Sequence, residues 1–259
     1  MDALIGDIGN TITKICLVNI KNYKVKKIIH LESKHIVSTK YLKRKLNKIL
    51  KNKKINRIAL FSSVVTKYNL LLKKILKNFY KIDLKEIKEK KIYKIVKINI
   101  KNKKQVGSDR IVNAVGVYKK YKTNCIVVDF GTATTFDVVT KKGVYNGGII
   151  APGVNLSIKS LSYSADQIPI FSLTKQKKII GKNTLEALRS GFYWGYCGLI
   201  NNIILKIEKE TKKKYKVIFT GGYSNLFKTS IIRSFAIDRN ITIRGIVEIF
   251  KENKSYLIR

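Results

Sequence analysis

The hydrophobic pattern at the start of the chain predicts three consecutive β-strands. Apolar residues recur over three short extended runs, Ala3 to Asp7, Lys14 to Ile20 and Lys24 to His30. Turn-forming residues fill the gaps between these runs, with Gly9-Asn10-Thr11 in the first gap and Lys21-Asn22 in the second. Strands joined by connections this short form an antiparallel meander.

Helical and extended patterns then alternate. Apolar spacing predicts helices over Ser38 to Lys51 and Lys67 to Asn78, with a strand at Ile55 to Phe61 between them. The buried face expected for the second helix is made by Leu70, Leu71, Ile75 and Phe79. The lysine-dense stretch 81–104 indicates a strand at Ile92 to Ile98 and an exposed loop after it.

The opening pattern recurs after the middle of the chain. Gly107-Ser108-Asp109-Arg110 begins a helix that runs to about Lys120. Cys125 to Thr132 is then a buried strand ending in Asp-x-Gly-Thr, and strands at Thr135 to Thr140 and Val144 to Ile150 follow it. Because the same order appears twice, we predict two similar halves, 1–115 and 116–259.

The rest of the second half is mostly helical. The further predicted elements are helices at Pro152 to Tyr163 and Asn183 to Glu210, a strand at Tyr215 to Phe219, a helix from Tyr223 and a helix at Ile246 to Asn253. Gly191, Gly195 and Gly198 predict that the long helix is buried and packs closely on a neighbour. Since no Pro, Gly or Ser linker separates the halves, we expect tight packing, with the site in the cleft between them.

The net charge is the unusual feature of the composition. Lys and Arg number 54 against 16 Asp and Glu, which gives +38 and a pI near 10.1. Nucleic acid or an anionic membrane would be the ordinary partner of such a chain. Here the excess is mostly lysine spread along nearly every segment, whereas phosphate recognition favours a localised arginine-rich stripe. We therefore expect no specific nucleic-acid partner, only weak, salt-sensitive binding of polyanions.

Cysteine usage and hydropathy bear on the compartment. The 3 cysteines, Cys16, Cys125 and Cys197, lie far apart in apolar runs, which supports neither a disulfide framework nor a zinc site. No apolar stretch is long enough for a membrane span, and no signal-peptide pattern is present at the N-terminus. We predict a cytoplasmic protein without membrane association.

Two turns carry the first candidate chemistry. Asp7 to Thr11 and Asp129 to Thr135 each follow a strand, and each offers backbone N–H groups and hydroxyls for phosphate oxygens and an aspartate for a cation. One such turn is an ordinary β-turn, but two placed alike indicate a nucleotide held from both sides of a cleft. Thr220-Gly221-Gly222 leaves room for a base or ribose, although an ordinary strand-to-helix turn is the alternative.

An acid and a permanent cation meet at the start of the predicted third helix. Asp109 could accept the proton of a substrate hydroxyl while Arg110 binds an anionic group such as a carboxylate. The alternative is a capping aspartate followed by a surface arginine.

The order and spacing of these motifs resemble those of type III pantothenate kinases, from Asp7 to about Phe250. The segments that carry the resemblance are Asp7 to Thr11, Gly107 to Arg110, Asp129 to Thr135, Gly147 to Gly153, Ile168-Pro169, Gly181 to Thr184 with Gly191 and Gly195, and Thr220 to Gly222. The resemblance implies an α/β fold of two similar halves with a cleft between them, ribonuclease H-like, as in actin, sugar kinases and heat-shock ATPases.

The resemblance also implies an activity: ATP-dependent phosphorylation of pantothenate to 4′-phosphopantothenate, the first step of coenzyme A synthesis. Asp109 would be the proton acceptor, and Asp129 would bind the monovalent cation, K⁺ or NH₄⁺, that acts beside Mg²⁺. The implied substrate pocket contains Gly107, Ser108, Asp109, Arg110 and Thr184. The implied ATP contacts are Asp7, Ile8, Gly9, Asn10, Thr11, Ile12, Thr13, Lys14 and Thr132. Family members are homodimers.

Two departures from the family pattern keep alternatives open. Ile100 and Lys103 stand where the family usually has an aromatic residue and a proline, so a kinase for another small alcohol is one alternative. A non-catalytic regulatory or nucleic-acid-binding member is another, although Asp7, Asp109 and Asp129 together argue against it. Ser108 replaces the usual alanine, and we expect this change to be neutral.

Overall fold

The computed structural model describes residues 1–89, 94–228 and 235–258. The strands are β1 (Asp2–Ile8), β2 (Ile12–Asn19), β3 (Val25–Glu32), β4 (Ile58–Ser63), β5 (Asp83–Glu86), β6 (Lys97–Ile98), β7 (Cys125–Phe130), β8 (Ala133–Val139), β9 (Val144–Pro152), β10 (Lys216–Gly221) and β11 (Phe235–Ile237). The helices are α1 (Thr39–Leu50), α2 (Thr66–Tyr80), α3 (Ser108–Tyr121), α4 (Val154–Ser164), α5 (Thr184–Thr211), α6 (Ile241–Glu252) and α7 (Lys254–Leu257). None of the helices in this part of the chain combines the length and the apolar character that crossing a bilayer requires.

The chain packs as two compact units. The first contains the described residues of 1–121, Gly143–Tyr145 and the segment that begins at Asn240, and the second contains those of Lys122–Lys142 and Asn146–Arg239. These units are not continuous in sequence, because α6 packs against α3 in the first unit. The predicted halves, 1–115 and 116–259, differ from them in this respect, and their common origin stays a prediction.

The sheet of the first unit begins with the predicted meander. Its strand order is β3-β2-β1-β4-β5, in which β1 pairs with β2 and β2 with β3 in antiparallel register. β4 then lies parallel to β1, and β5 lies parallel to β4. The sequence pattern did not predict β5, because it is short and Leu84 is its one apolar residue.

The second unit repeats this arrangement. Five strands of its sheet run in the order β9-β8-β7-β10-β11, with β7 antiparallel to β8, β10 parallel to β7 and β11 parallel to β10. The short strand β6 is the sixth strand of this sheet and pairs in parallel with the start of β9. The central strand of each unit, β1 or β7, is therefore followed by an antiparallel partner on one side and flanked by a parallel strand on the other. A repeated sequence pattern has produced a repeated sheet topology.

Three predicted details are wrong in part or lie partly outside the described residues. Ile75 of the predicted α2 face is buried and Leu71 packs on the core, but Leu70 and Phe79 are 60% and 52% exposed. The fully buried residues of α2 are Leu72, Ile75 and Leu76, so spacing alone placed the face on a neighbouring stripe. Residues 223–228 form turns rather than the start of a helix, and 229–234 lie outside the described residues. The strand predicted at 92–98 is seen only as β6, and 92–93 lie outside the described residues.

The long helix α5 is buried along one face only. Tyr193, Ile200 and Ile204 belong to the core of the second unit, where they pack with β7 and β8 residues. Gly191, Gly195 and Gly198 are exposed, and no described atom lies within 4 Å of a Cβ built on any of them. The prediction of a buried helix packed closely at these glycines is therefore wrong within the described chain, and the glycines form an open stripe (Gly191, Gly195 and Gly198) on its surface.

Close helix packing occurs instead between α3 and α6 in the first unit. A Cβ on Gly245 would overlap the carbonyl oxygen of Val112, and a Cβ on Gly116 would lie 2.5 Å from the carbonyl oxygen of Ile241. Thr242 Oγ1 also donates to Asn113 Oδ1 at 2.8 Å across the same contact. Two glycines thus allow the backbones of α3 and α6 to approach to contact distance.

Candidate active site

The carboxyl ends of the parallel strands in the first unit bring several polar residues to one edge of the sheet. Asp7 of β1 lies opposite Ser62 of β4, and Phe61 lies opposite Glu86 of β5. The α3 helix begins at the same edge, where a Cβ on Gly107 would lie 3.6 Å from the Val64 side chain. The carboxyl edge of parallel strands is where α/β proteins place their ligands.

Val64 connects the two motifs that the sequence predicts in this unit. Its amide donates to the carbonyl oxygen of Ile8 at 3.1 Å, while its side chain lies beside Gly107. Val64, which follows β4, therefore contacts both the end of β1 and the segment just before α3. The structure places the Asp7 turn and Gly107 to Arg110 at one edge.

The turn after β1 exposes its tip. Asp7 is partly buried opposite Lys14 in the β1–β2 register, and Asn10 and Thr11 are exposed. The Gly9 amide donates to the carbonyl oxygen of Ile12 at 3.2 Å and closes the turn. The exposed backbone and side chains at 10–11, flanked by one acid and one lysine, can contact a charged ligand.

Two of the predicted nucleotide contacts have side chains that face the interior. Ile8 and Thr13 are fully buried. Thr13 Oγ1 lies 2.8 Å from Ser33 Oγ, and Ser33 Oγ donates to the carbonyl oxygen of Gly9 at 2.7 Å. These side chains hold the turn in shape, so Ile8 and Thr13 can reach a ligand only through their backbone atoms.

Asp109 lies in the first turn of α3 with its carboxylate folded back. Oδ1 accepts the Arg110 amide at 2.8 Å, and a Cβ on Gly107 would overlap the same oxygen, which explains the glycine at that position. Burial raises the pKa of Asp109, and the amide and charge of Arg110 and the charge of Lys88 only partly oppose this effect. A carboxylate with a raised pKa is a stronger base than an exposed one.

Arg110 is held beside an aromatic ring of the same unit. Its guanidinium carbon lies 5.9 Å from the centroid of Tyr145, which is buried. This cation–π contact orients the arginine next to Asp109. The pair offers a base and an anion-binding group on consecutive residues.

Glu86 is a site residue that the sequence analysis missed. Ser108 Oγ donates to Glu86 Oε1 at 2.5 Å, and the Lys88 amide donates to Oε2 at 2.7 Å. Burial raises the pKa of Glu86, while these hydrogen bonds and the charge of Lys88 oppose the effect. The hydroxyl that distinguishes Ser108 from alanine therefore donates a hydrogen bond to Glu86. We did not expect this contact when we predicted that the change from alanine is neutral. No motif marks Glu86 in the sequence, because its strand is itself unpredicted.

In the second unit the corresponding edge is formed by β7 and β10. Asp129 is partly buried and lies opposite Thr135 of β8 and Thr220 of β10. Gly221 has a φ of +83°, and a Cβ there would lie 2.7 Å from Asp129 Oδ1. A Cβ would also lie 2.5 Å from the carbonyl oxygen of Phe130, so both the backbone conformation and the space at this position require glycine. Asp129 and the Thr220-Gly221 turn therefore form one polar edge.

Thr132 lies in the exposed turn between β7 and β8. Its carbonyl oxygen is so close to Gly153 that a Cβ there would overlap it. Gly153 precedes α4, whose first amides are not used within the helix. The turn that carries Thr132 is thereby fixed against the start of α4.

Thr184 is the first residue of α5. Asn183 caps this helix, since its Oδ1 accepts the Glu186 amide at 2.9 Å. Thr184 is exposed and borders a cavity of about 780 Å³ between α4 and α5. The other lining residues include Ser157, Leu161, Leu188, Phe192 and Tyr196. The cavity is largely apolar, with the Ser157 and Tyr196 hydroxyls, 2.9 Å apart, as polar groups.

The Asp129 carboxylate is an oxygen donor, the kind of ligand that hard cations take. It lies at the edge formed by β7 and β10. Within the described residues, no three side chains of His, Cys, Asp and Glu cluster closely enough to share a metal ion. A monovalent cation, or Mg²⁺ held mainly by phosphate oxygens and water, needs few protein ligands of this kind.

Each unit thus gathers its own predicted site residues. The first unit holds Asp7 to Lys14 and Gly107 to Arg110, and the second holds Asp129, Thr132 and Thr184. That the two sets form one site in a shared cleft stays a prediction.

Sequence comparisons agree with the motifs. A family model described as type III pantothenate kinase matches residues 3–206. A type III pantothenate kinase from Pelagibacter ubique (strain HTCC1062) is 49% identical to this chain over 244 residues, which cover 94% of this chain and 96% of that protein.

Structural comparisons show the fold. A Campylobacter jejuni protein described as a candidate transcriptional activator of the Baf family has a TM-score of 0.63 at 23% identity, covering 97% of this chain and 99% of that one. The inorganic polyphosphate/ATP-glucomannokinase of Arthrobacter sp. strain KM has a TM-score of 0.50 at 12% identity, with coverage of 97% and 99%. The predicted α/β fold class is confirmed, since this kinase shares the fold over nearly the whole of both chains.

Proposed function

Because the chain belongs to the type III pantothenate kinase family, we propose that it phosphorylates pantothenate with ATP and that Asp109 accepts the proton of the pantothenate hydroxyl. The activity is that of a phosphotransferase with an alcohol acceptor, in coenzyme A biosynthesis. The observation that carries the role of Asp109 is its buried carboxylate at the start of α3, with a raised pKa and Arg110 beside it.

The proton transfer is local to the first turn of α3. As the substrate hydroxyl attacks the γ-phosphorus, its O–H bond breaks, the proton goes to the Asp109 carboxylate, and the bond to the β-phosphate oxygen of ATP breaks. Arg110 binds the pantothenate carboxylate, and Gly107 and Ser108 line the same pocket. Thr184 contributes its hydroxyl from the start of α5.

The phosphates of ATP need alignment and charge compensation. We assign the alignment of the phosphates to the turn of residues 7–14, whose exposed tip offers backbone N–H groups with Lys14 nearby. Thr132 supplies a second contact. Asp129 would hold K⁺ or NH₄⁺, and bound cations would offset negative charge on the transferring group, together with Mg²⁺ on the phosphates.

One assay tests the proposed activity. Purified protein is mixed with ATP, Mg²⁺, K⁺ and pantothenate, and 4′-phosphopantothenate is measured directly by mass spectrometry. A panel of other small alcohols, followed by ADP release, tests the alternative substrate class that Ile100 and Lys103 raise. Phosphorylation of another alcohol with a higher kcat/KM than pantothenate would overturn the substrate assignment. The family match gives no support to a non-catalytic, nucleic-acid-binding protein.

Asp129→Ala provides a test of the monovalent-cation site. We expect the K⁺ concentration for half-maximal activity to rise by about tenfold or more, because the carboxylate assigned to the cation is lost. The measurement is a K⁺ titration at saturating ATP and pantothenate, at constant ionic strength. Asp166→Ala is the control, since Asp166 is an exposed acid of the same unit. An unchanged K⁺ titration in the Asp129 variant would remove the assignment.

We also propose a homodimer. The open glycine stripe on α5 and the adjoining apolar cavity support it, because an exposed stripe of small residues allows a second helix to approach closely. Sedimentation at micromolar concentration should give the mass of a dimer, and Gly195→Glu should shift it toward the monomer. Lys74→Glu, on the exposed side of α2, should leave the mass unchanged. A monomeric wild-type protein would contradict the proposal.

A cytoplasmic location is part of the same proposal. Cys16, Cys125 and Cys197 are buried thiols that form no disulfide, and burial raises the pKa of the Cys16 and Cys125 thiols to about 12. Cysteines that stay in the thiol form suit a reducing compartment. No specific nucleic acid and no membrane are among the proposed partners.

A further inference from the structure

We propose that Glu86 is a positioning residue for Asp109, acting through its hydrogen bond to Ser108. The inference rests on the proposed function, in which Asp109 is the base. It concerns how this chain holds that base, and it assigns a role to a residue outside the motifs described above.

The Glu86 carboxylate joins the start of α3 to the end of β5. It accepts hydrogen bonds from the Lys88 amide just after β5 and from the Ser108 hydroxyl at the start of α3. The oxygen-to-oxygen distance to Ser108 is 2.5 Å, at the short end for a hydroxyl donating to a carboxylate. Ser108 is 2% exposed, so water does not replace this hydrogen bond easily.

Side chains hold the first turn of α3 to the sheet. The first amides of a helix have no partner within the helix, so a first turn frays unless side chains hold it. Asp109 uses its own Oδ1 on the Arg110 amide, which fixes the carboxylate relative to α3 but not relative to the sheet. The contact of Arg110 with Tyr145 is one constraint on this turn, and Glu86 adds a second by bonding Ser108 to the end of β5.

A small displacement of this turn is enough to reduce the rate. Catalytic groups lose activity when moved by about 1 Å from their productive position. Loss of the Glu86–Ser108 hydrogen bond therefore lowers kcat, whereas the ATP-binding turn of residues 7–14 keeps its own hydrogen bonds through Ser33. A residue that served stability alone would not separate kcat from the KM for ATP.

Two variants weaken the same link from opposite sides. Ser108→Ala removes the hydroxyl donor, and Glu86→Gln replaces two carboxylate oxygens with one amide oxygen, which cannot accept from the Ser108 hydroxyl and the Lys88 amide together. We expect kcat to fall about 3-fold in Ser108→Ala and about 10-fold in Glu86→Gln, with the KM for ATP within about 2-fold of wild type. The double variant should match Glu86→Gln alone, since both changes break one coupled unit. Losses that multiply in the double variant would overturn the proposal.

Thr242→Val is the matched control. It removes a buried hydroxyl that donates to Asn113, one turn further along α3, at 2.8 Å. We expect a lower melting temperature and an unchanged kcat. A fall in kcat equal to that of Glu86→Gln would mean that any weakening of α3 slows the reaction, and the positioning role would be withdrawn.

Hydrogen exchange tests the positioning without any turnover. Amides of residues 107–111 should exchange faster in Glu86→Gln than in wild type, and Thr242→Val should not change them to the same extent. Unchanged exchange there overturns the inference even if the enzyme phosphorylates pantothenate. If exchange is faster but the protein does not phosphorylate pantothenate, the positioning role of Glu86 is supported and the proposed substrate is contradicted. Failure of the inference and failure of the proposed function are therefore distinguishable.

Discussion

Asp109→Asn should lower kcat for pantothenate phosphorylation by about 10² to 10⁴ while ATP binding is retained. Asparagine has nearly the shape of aspartate and can still accept the Arg110 amide, but it cannot take the proton of the substrate hydroxyl. The loss is therefore expected in kcat and in kcat/KM, not in the affinity for ATP. Steady-state kinetics and calorimetric titration with a nonhydrolysable ATP analogue measure the two quantities separately.

The control for this variant is Asp83→Asn. Asp83 begins β5, at the opposite end of that strand from Glu86, and forms an ion pair with Lys85 at 2.7 Å. The same chemical change at this position should leave kcat within about 2-fold of wild type. Turnover of Asp109→Asn close to that of wild type would show that another group accepts the proton.

The pH profile gives an independent measure of the same residue. Burial raises the pKa of Asp109, and only the deprotonated carboxylate can act as the base. Wild-type kcat/KM should therefore fall as the pH is lowered through that raised pKa, at a higher pH than for an exposed aspartate. The residual activity of Asp109→Asn should lack this acidic limb. A limb that persists unchanged would have to come from another group.

Gly245→Ala should cause the largest loss of stability among the changes considered. A Cβ at this position overlaps the carbonyl oxygen of Val112, which is backbone and cannot rotate away, so α3 and α6 must separate. We expect the free energy of unfolding to fall by about 3 kcal/mol. Urea denaturation followed by circular dichroism measures the change.

Arg244→Ala is the matched control for the glycine variant. Arg244 is the neighbouring residue in α6 and is exposed, so the same new side chain meets solvent. We expect a change of less than about 1 kcal/mol. Equal stability of Gly245→Ala and wild type would show that α3 and α6 can separate slightly at no cost.

The elements that the sequence predicted well are those whose ends carry a physical signal. The first three strands are short, mostly apolar runs between turn residues, and they form the predicted meander. Ser38 and Asn183 each cap a helix with a side-chain oxygen, which is why α1 and α5 begin within a residue of their predicted starts. Local chemistry of this kind does not depend on the rest of the fold.

The elements that were missed depend on partners distant in sequence. β5 and β11 are too short to show a period, and they exist because β4 and β10 offer a free parallel edge. Packing on the sheet likewise determines which residues of α2 are buried. Propensity and period cannot determine either outcome.

The residues of the candidate site also fall into those that the sequence identifies and those that only the fold reveals. Asp7, Asp109 and Asp129 lie in motifs whose spacing marks them, so the sequence alone identifies them as candidates. Glu86 has no motif, and its link to Ser108 exists only because β5 ends beside the start of α3. Residues that contact a ligand can be found by pattern, but residues that hold them in place require the fold.

The contact between α3 and α6 has a consequence for synthesis on the ribosome. The first unit needs the segment that begins at Asn240, yet the second unit lies between that segment and α3 in the chain. Translation therefore delivers the whole second unit before α3 receives its partner. The nascent first unit must wait with the apolar face of α3 uncovered, and chaperones that bind such faces have their main opportunity during this interval.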